Sequence, residues 1–350
     1  MSRALILGGT GLIGRAAARR LLKAGWQVDL TGRDPAHLPA DIAAAGGRFL
    51  AVDRADSAQL LAALGEGADL LVDCLCYTAA DATRLLPLLH SANSTVMISA
   101  RAVYVDDHGN HANSPTPPRF DAPIRESQPT MAPSNEPFNT AEGYGGNKVA
   151  AEQVLLDSGH PITVLRPSRV HGAGARPPRQ WVYVKRVLDR RPAVLLPRQG
   201  TDVLQTTAAI NMAALIEVVA ANPGRRILNI ADPDAPNVLE ISRTVARRLG
   251  HTWDEVLLDA DADPSLGQHS WETPYPVRFD MSAAIELGYV PAATYADAVA
   301  EEIDWLTSVA IARDVADGGA QLPPDLNHVD DDYFSSMFDY AAEDRFLARS

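Results

Sequence analysis

The turn Gly8-Gly9-Thr10-Gly11-Leu12-Ile13-Gly14 constrains this chain more than any other stretch. It follows a short apolar run, Ala4–Leu7, and opens an amphipathic one, Leu12–Ala24, closed by Gly25. A strand feeding a helix through so few residues commits the next strand to lie parallel, because the helix must pack back on the sheet that the strand begins. Glycines at 8, 11 and 14 let the backbone turn sharply, open a helix and bring it close against the sheet.

The alternation continues. Strands are expected at Gln27–Leu30, Arg48–Val52, Asp69–Cys74 and Thr95–Ser99, with helices at Pro35–Ala45, Asp56–Leu64 and Thr78–Leu89 between them. This is the pattern of an α/β protein with a Rossmann-type, doubly wound parallel sheet. From 105 to 142 the rhythm breaks, and prolines at 115, 117, 118, 123, 129, 133 and 137 make a regular helix there unexpected. We read this stretch as a substrate-side loop or lid. A helix resumes over Gly143–Leu156 and a strand follows at Ile162–Arg166. The chain is irregular through Pro197. Asn211–Ala221 reads as a helix and Ile227–Ile230 as a strand returning to the main sheet, while Leu239–Leu249 and Ala283–Leu306 read as helices of a smaller α/β subdomain. The expected organisation is a dinucleotide-binding domain over 1–166, completed by 200–231, and a substrate subdomain over 167–199 and 232–310. Within 311–350, an acidic, mobile linker spans 314–332 and Tyr333–Leu347 is amphipathic, placed to dock on its own body or on a partner subunit.

Composition narrows the partners. Hydrophobic residues make up 46% of the chain and the formal charge is −13. Such a balance is the reverse of what nucleic acid or an anionic membrane surface attracts. No apolar run reaches transmembrane length, and the chain enters a strand within three residues, without a charged and then apolar leader. Cys74 and Cys76 share a predicted strand, where their spacing does not suit a disulfide. With no cluster of further ligands nearby, reduced thiols and no metal site are expected. The expectation is a cytoplasmic protein acting on a small molecule, an anionic one included.

The glycine turn sits where a dinucleotide's pyrophosphate binds, at a helix N-terminus after the first strand. The residues placed for it are Gly8, Thr10, Gly11, Leu12, Ile13 and Gly14. NAD-binding chains put Asp or Glu about 20 residues further on to hold the ribose hydroxyls. Here that strand end carries neutral Gly32 followed by Arg33, whose guanidinium suits a 2′-phosphate, and Arg15 adds a second cation. NADP(H) is therefore favoured, with NAD(H) left open, since Arg33 as a solvated turn residue and Asp34 as a helix cap would leave the choice undecided. Asp53, ending the third strand, is placed for the adenine or is a simple loop carboxylate.

Tyr144 and Lys148 lie four apart at the start of a predicted helix, on one face. Nine tyrosines and three lysines in 350 residues give about 0.1 such pairs by chance. A lysine ammonium beside a phenol favours the phenolate and lowers its pKa, so that Tyr144 can pass a proton to or from a carbonyl oxygen near neutrality. The same lysine would bind the nicotinamide ribose.

Together with Val103-Tyr104, Arg166-Pro167, Val170-His171-Gly172, Asp280, Leu287-Gly288-Tyr289, Pro291 and Trp305-Leu306, these motifs make the chain resemble the extended short-chain dehydrogenase/reductases, the NAD-dependent epimerase/dehydratase family, over roughly residues 3 to 307. The resemblance implies hydride transfer with Tyr144 as acid/base and Lys148 on the ribose, Pro167 and Val170 along the nicotinamide, and a homodimer through the helices at Thr78–Leu89 and Gly143–Leu156. Two departures stand out. The family's Ser or Thr four residues before the Val-Tyr tyrosine is Ala100 here. Ser99 is one residue early, and Thr140 and Ser168 are substitutes by position only. The Asp-Glu pair of the sugar dehydratases is replaced by Arg101 and Ala102, which lowers dehydration among the chemistries expected.

Arg101, Arg169, Arg176 and Arg179 would suit an anionic substrate if they converge, and His171 is placed to help; scattered, solvated arginines are the alternative. The expected function is NADP(H)-dependent oxidoreduction of a secondary alcohol or ketone. The alternatives are a nucleotide-sugar epimerase and a non-catalytic dinucleotide-binding protein.

Overall fold

The computed structural model describes residues 1–314, 318–323, 326 and 334–349 of the chain. The strands β1 (Arg3–Leu7), β2 (Gln27–Gly32), β3 (Arg48–Ala51), β4 (Ala68–Asp73), β5 (Ala92–Ile98), β6 (Ile162–Pro167) and, later in the chain, Arg226–Ile230 form one seven-stranded sheet. Every pairing in it is parallel. The last of these strands, numbered β10 in chain order, pairs with β6, so the order is β10-β6-β5-β4-β1-β2-β3. The chain winds outward in opposite directions from β1 and β4, and the carboxyl ends of these two strands flank the switch point where open α/β sheets bind ligands.

Parallel strands are covered on both faces, which explains their continuous apolar runs. One face packs α1 (Leu12–Lys23) and the helix Ala209–Ala221 through Ala17, Leu21, Leu215 and Val219. The other packs α3 (Ser57–Leu64), α4 (Ala79–Leu89) and α5 (Ala141–Asp157) through Leu60, Leu85, Ala151 and Leu155. Helix α1 ends as expected: Ala24 is its C-cap and Gly25 follows at φ +83°.

Several elements depart from expectation. Pro39, at φ −62° and ψ 138°, splits the helix expected over Pro35–Ala45 into a 3₁₀ turn at Pro35–His37 and the short α2 at Ala40–Ala44. The helix expected over Ala283–Leu306 is two helices, Ser282–Glu286 and Tyr295–Val309, parted at Gly288 and Pro291. The irregular region before Pro197 contains β7 (Arg169–His171), α6 (Trp181–Leu188) and β8 (Ala193–Leu196). The stretch 105–142 up to α5 is ordered without regular helix. Asp106 ties its first turn by accepting from the backbone N–H of His108, Asn110 and Arg119 at 2.9, 2.8 and 3.0 Å.

The chain divides into two compact units. The first comprises 1–170, 206–233 and 278–293, the last of which the sequence groups with the smaller subdomain. The second comprises 171–205, 234–277 and 294–350, and is built on α6, α8 (Val238–Arg248), α10 (Tyr295–Val309) and the parallel pair of β8 with β11 (Asp254–Leu257). Of the expected linker, 315–317, 324–325 and 327–332 lie outside the described residues, as does Tyr333. The part that is described docks: the Lys185 ammonium donates to Gly318 O and Ala320 O at 2.7 and 2.8 Å, and Leu322 and Leu326 are buried. Among the described residues of the expected C-terminal helix, only Tyr340–Leu347, here α11, is α-helical. It lies on the second unit through Arg186 and Glu343, both buried and 2.6 Å apart.

Candidate active site

The turn between β1 and α1 has the close approaches that its glycines predict. Gly8 sits at φ +74°, and a Cβ there would meet Leu75, on the loop after β4, at 2.7 Å. A Cβ on Gly14 would lie 2.5 Å from Gly8 O and 2.6 Å from Gly9 Cα, backbone atoms that cannot swing aside. Gly11 is the N-cap of α1, no side chain caps the helix start, and its first turn carries no acidic residue. Free backbone N–H groups and the positive end of the helix dipole therefore meet at the switch point, an arrangement that fits the diphosphate of a dinucleotide. Thr10 is half-buried within this turn, while Leu12 and Ile13 pack α1 on its neighbours.

At the end of β2, Gly32 is hemmed in by the Phe49 ring and Thr10 Oγ1, at 3.0 and 3.3 Å from where a Cβ would be. Arg33 is exposed and has no ion pair among the described residues. Asp34 caps the following turn, accepting from the Ala36 N–H at 2.9 Å. Arg15 is half-buried in the first turn of α1. Asp53 is exposed and accepts from its own loop, at the Ala55 N–H, 2.9 Å away.

The start of α5 is packed closely enough to explain its glycines. A Cβ at Gly143, Gly145 or Gly146 would strike Pro137 O, Ala102 O or Ser134 Cβ at 2.1, 2.3 and 2.6 Å. Thr140 caps the helix, accepting from the Gly143 N–H at 3.0 Å and donating to Pro137 O at 2.8 Å. Lys148 is buried, and its ammonium donates to Cys76 O at 2.8 Å and Ile98 O at 2.9 Å, which pins the carboxyl ends of β4 and β5 to α5. Its charge also lies 4.3 Å from the centre of the Tyr77 ring. Burial lowers the Lys148 pKa from its ordinary value, opposed by Cys76 and Asp73. Tyr144 is half-buried, and burial, with Tyr77 adding to it, pushes its phenol up to about 12. Lys148 is not among the groups that shift the Tyr144 phenol, and its ammonium is held by two carbonyls and the Tyr77 ring.

Ser99 does not join this pair. Its N–H donates to Leu165 O at 2.7 Å, so the ladder of β5 with β6 continues without a bulge. Its hydroxyl is bound to buried Glu152, which in turn holds Arg166 at 2.5 Å. Glu152 lies eight residues beyond Tyr144 on α5, about 12 Å along the helix. The network runs on through Arg166, 4.8 Å from the centre of the Tyr104 ring, to the Tyr104 hydroxyl, which donates to Asn229 at 2.6 Å. Of the two proposed substitutes, Thr140 is engaged as a cap, and Ser168 is buried with its backbone N–H donating to Thr207 Oγ1 at 3.0 Å.

Pro167 ends β6 and is buried; Val170 packs against the first unit's core. Arg101 opens a 3₁₀ turn, Arg101–Val103, and Arg169 begins β7, both half-buried in the first unit. His171 belongs to the second unit. It is buried with its ring 5.3 Å from that of Tyr295 and its Nδ1 3.7 Å from Glu302. Glu302 also accepts from the Gly172 N–H at 2.8 Å, and burial raises its carboxyl to about 7, against His171 and that backbone bond. Cys74 and Cys76 are free thiols, and burial, with Asp73, pushes Cys74 up to about 12. Tyr77 escapes the sequence reading altogether; its only signal there is its position on the loop after the fourth strand. Among the described residues no group of His, Cys, Asp and Glu could hold a metal ion, and no helix is long and apolar enough to cross a membrane.

A parallel sheet wound both ways from its middle, a glycine turn at the switch and a Tyr–Lys pair beside it define a dinucleotide-binding enzyme fold. The chain belongs to the NAD dependent epimerase/dehydratase family, whose model matches residues 4–231. Among solved structures it is similar to UDP-N-acetylglucosamine 4-epimerase from Bacillus cereus, at 16% identity and a TM-score of 0.66 over 88% of this chain and 100% of that one. It is also similar to dTDP-glucose 4,6-dehydratase from Bacillus anthracis in complex with NAD, at 16% identity and a TM-score of 0.64 over 88% and 97% of the two chains. For UDP-glucuronic acid 4-epimerase from Bacillus cereus in complex with UDP-glucuronic acid and NAD, the values are 18% and 0.62 over 87% and 99%. At such identities the likeness is one of fold. No curated protein sequence matches the chain.

Proposed function

We propose that this protein is an NADP(H)-dependent oxidoreductase that interconverts a secondary alcohol and a ketone, with Tyr144 as acid/base. The observation that carries the reading is Lys148, buried between the carboxyl ends of β4 and β5 and one helical turn from Tyr144. Gly8, Gly11 and Gly14 would cradle the diphosphate, Arg15 and Arg33 would meet a 2′-phosphate, Asp53 the adenosine end, and Pro167 and Val170 the nicotinamide. When bound, the cofactor supplies a two-electron acceptor or donor. Tyr144 then holds or releases the proton of the substrate oxygen, and Lys148 orients the ribose and stabilises the phenolate form as it develops. Burial pushes the Tyr144 phenol up to about 12, and the Lys148 ammonium is the group that would favour its ionisation.

NADP(H) is favoured by Gly32 in place of a carboxylate and by the exposed, unengaged Arg33. Arg101, Arg169 and His171 are candidates for the substrate, and a homodimer through α4 and α5 belongs to the same proposal. A second reading, nucleotide-sugar epimerisation by the same Tyr–Lys pair, is favoured by the family match. One assay separates them: purified protein is examined for retained dinucleotide, then offered NADPH with a panel of small ketones and, separately, UDP-glucose. Consumption of NADPH in bulk with no retained cofactor supports the oxidoreductase. Retained cofactor with isomerisation of the sugar and no net consumption overturns it in favour of the epimerase. Neither activity, with dinucleotide bound, leaves the non-catalytic binding protein.

A further inference from the structure

We propose that the Tyr77 hydroxyl is the second hydrogen-bond donor to the reacting oxygen at this site, taking the place left without a hydroxyl by Ala100; this rests on Tyr144 and Lys148 being the catalytic pair. Tyr77 lies on the loop that leaves β4, beside the switch point and directly after Cys76, whose carbonyl holds the Lys148 ammonium. Two groups pack on its ring: Lys148 Nζ stands 4.3 Å from the ring centre and the Phe138 ring stacks on it at 5.5 Å, while the Tyr77 backbone N–H donates to Asp81 at 3.2 Å.

The hydroxyls of Ser99, Tyr104 and Thr140 are all committed elsewhere, to Glu152, Asn229 and Pro137 O. The Tyr77 hydroxyl has no partner among the described residues, and the side chain is half-buried, so it is both uncommitted and reachable. Lys148, one helical turn from Tyr144 on α5, stands against the Tyr77 ring, and Tyr77 adds to the burial that raises the Tyr144 phenol. Burial and the acidic neighbours Cys74, Asp73 and Asp81 hold Tyr77 itself protonated, which keeps it a donor. A cation against the ring face polarises the O–H further. Two phenolic donors to an oxygen on which negative charge develops would do what a phenol and a serine hydroxyl do together.

The test compares wild type with Tyr77→Phe, Tyr144→Phe, the double Phe variant, and Tyr77→Phe combined with Ala100→Ser. In the protein without cofactor, tyrosinate absorbance is titrated, and the contribution of Tyr144 is read as the difference made by Tyr144→Phe. Its midpoint is expected to move to lower pH when Tyr77 is Phe; an unmoved midpoint overturns the proposal without any substrate being needed. In the NADPH–ketone and UDP-glucose assays, Tyr77→Phe is expected to cost kcat about 10²-fold with dinucleotide affinity unchanged. Ala100→Ser is expected to restore at least about tenfold of that loss. Full kcat in Tyr77→Phe, or no recovery on adding the serine, also overturns it. If Tyr144→Phe itself retains full kcat, the underlying catalytic pair fails instead, and the two failures are told apart.

Discussion

Ser99 and Ala100 show what one position of register does on a strand. Because β5 continues in ladder with β6, the serine hydroxyl goes to Glu152 and the neighbouring position presents only a methyl group. Ser99→Ala is expected to lower stability by about 1–2 kcal/mol, read by chemical denaturation, because Glu152 loses a buried donor, while turnover stays within about twofold. Tyr144→Phe should instead cut turnover by about 10²–10⁴-fold and leave dinucleotide affinity intact, as expected for a proton-transfer group. Arg33→Glu is expected to weaken NADPH at least about tenfold and spare NADH, read by calorimetric titration. The placement of Tyr144 and Lys148 on one helix was legible in the sequence because helical spacing puts residues four apart on one face. The partners of Ser99 and the neighbour of Lys148 were not, because Glu152, Arg166 and Tyr77 come from separate elements that only the fold brings together.

At the scale of elements, strands and helices of the first unit were legible wherever an apolar period ran unbroken. They failed at Pro39 and at Gly288-Tyr289-Val290-Pro291, where a periodic pattern conceals a break. The region before Pro197, α6 included, failed for the opposite reason, since its buried side chains include Gln180, Lys185 and Arg186, which read as polar and solvated. Those cations are covered by the C-terminal segment, and Glu343→Ala, which leaves Arg186 buried without its carboxylate, should destabilise the protein by about 3–5 kcal/mol in urea unfolding. On α10, Glu302 has a folded pKa raised above its ordinary 4.5 to about 7 by burial, against His171 and the Gly172 N–H. The unfolded chain loses this proton first, so its contribution is complete below pH 4.5 and disappears as pH rises through 7. Glu302→Gln keeps an acceptor for Gly172 and should flatten the fall in melting temperature across that window.

For the molecule as a whole, the glycine turn was sufficient to read the sheet, its parallel sense and the edge at which chemistry would occur, because a βαβ unit has one favoured hand and one ligand-binding edge. The substrate was not legible, since Arg101 and Arg169 belong to the first unit and His171 to the second, and sequence spacing says nothing about where such residues meet. The carboxyl edge between β1 and β4 is proposed to hold a dinucleotide beside Tyr144. Calorimetric titration of wild type and Tyr144→Phe with NADPH and with NADH decides this. Saturable binding of one dinucleotide per chain, tighter for NADPH and equal in the two proteins, is the predicted result; no heat of binding with either dinucleotide would contradict it.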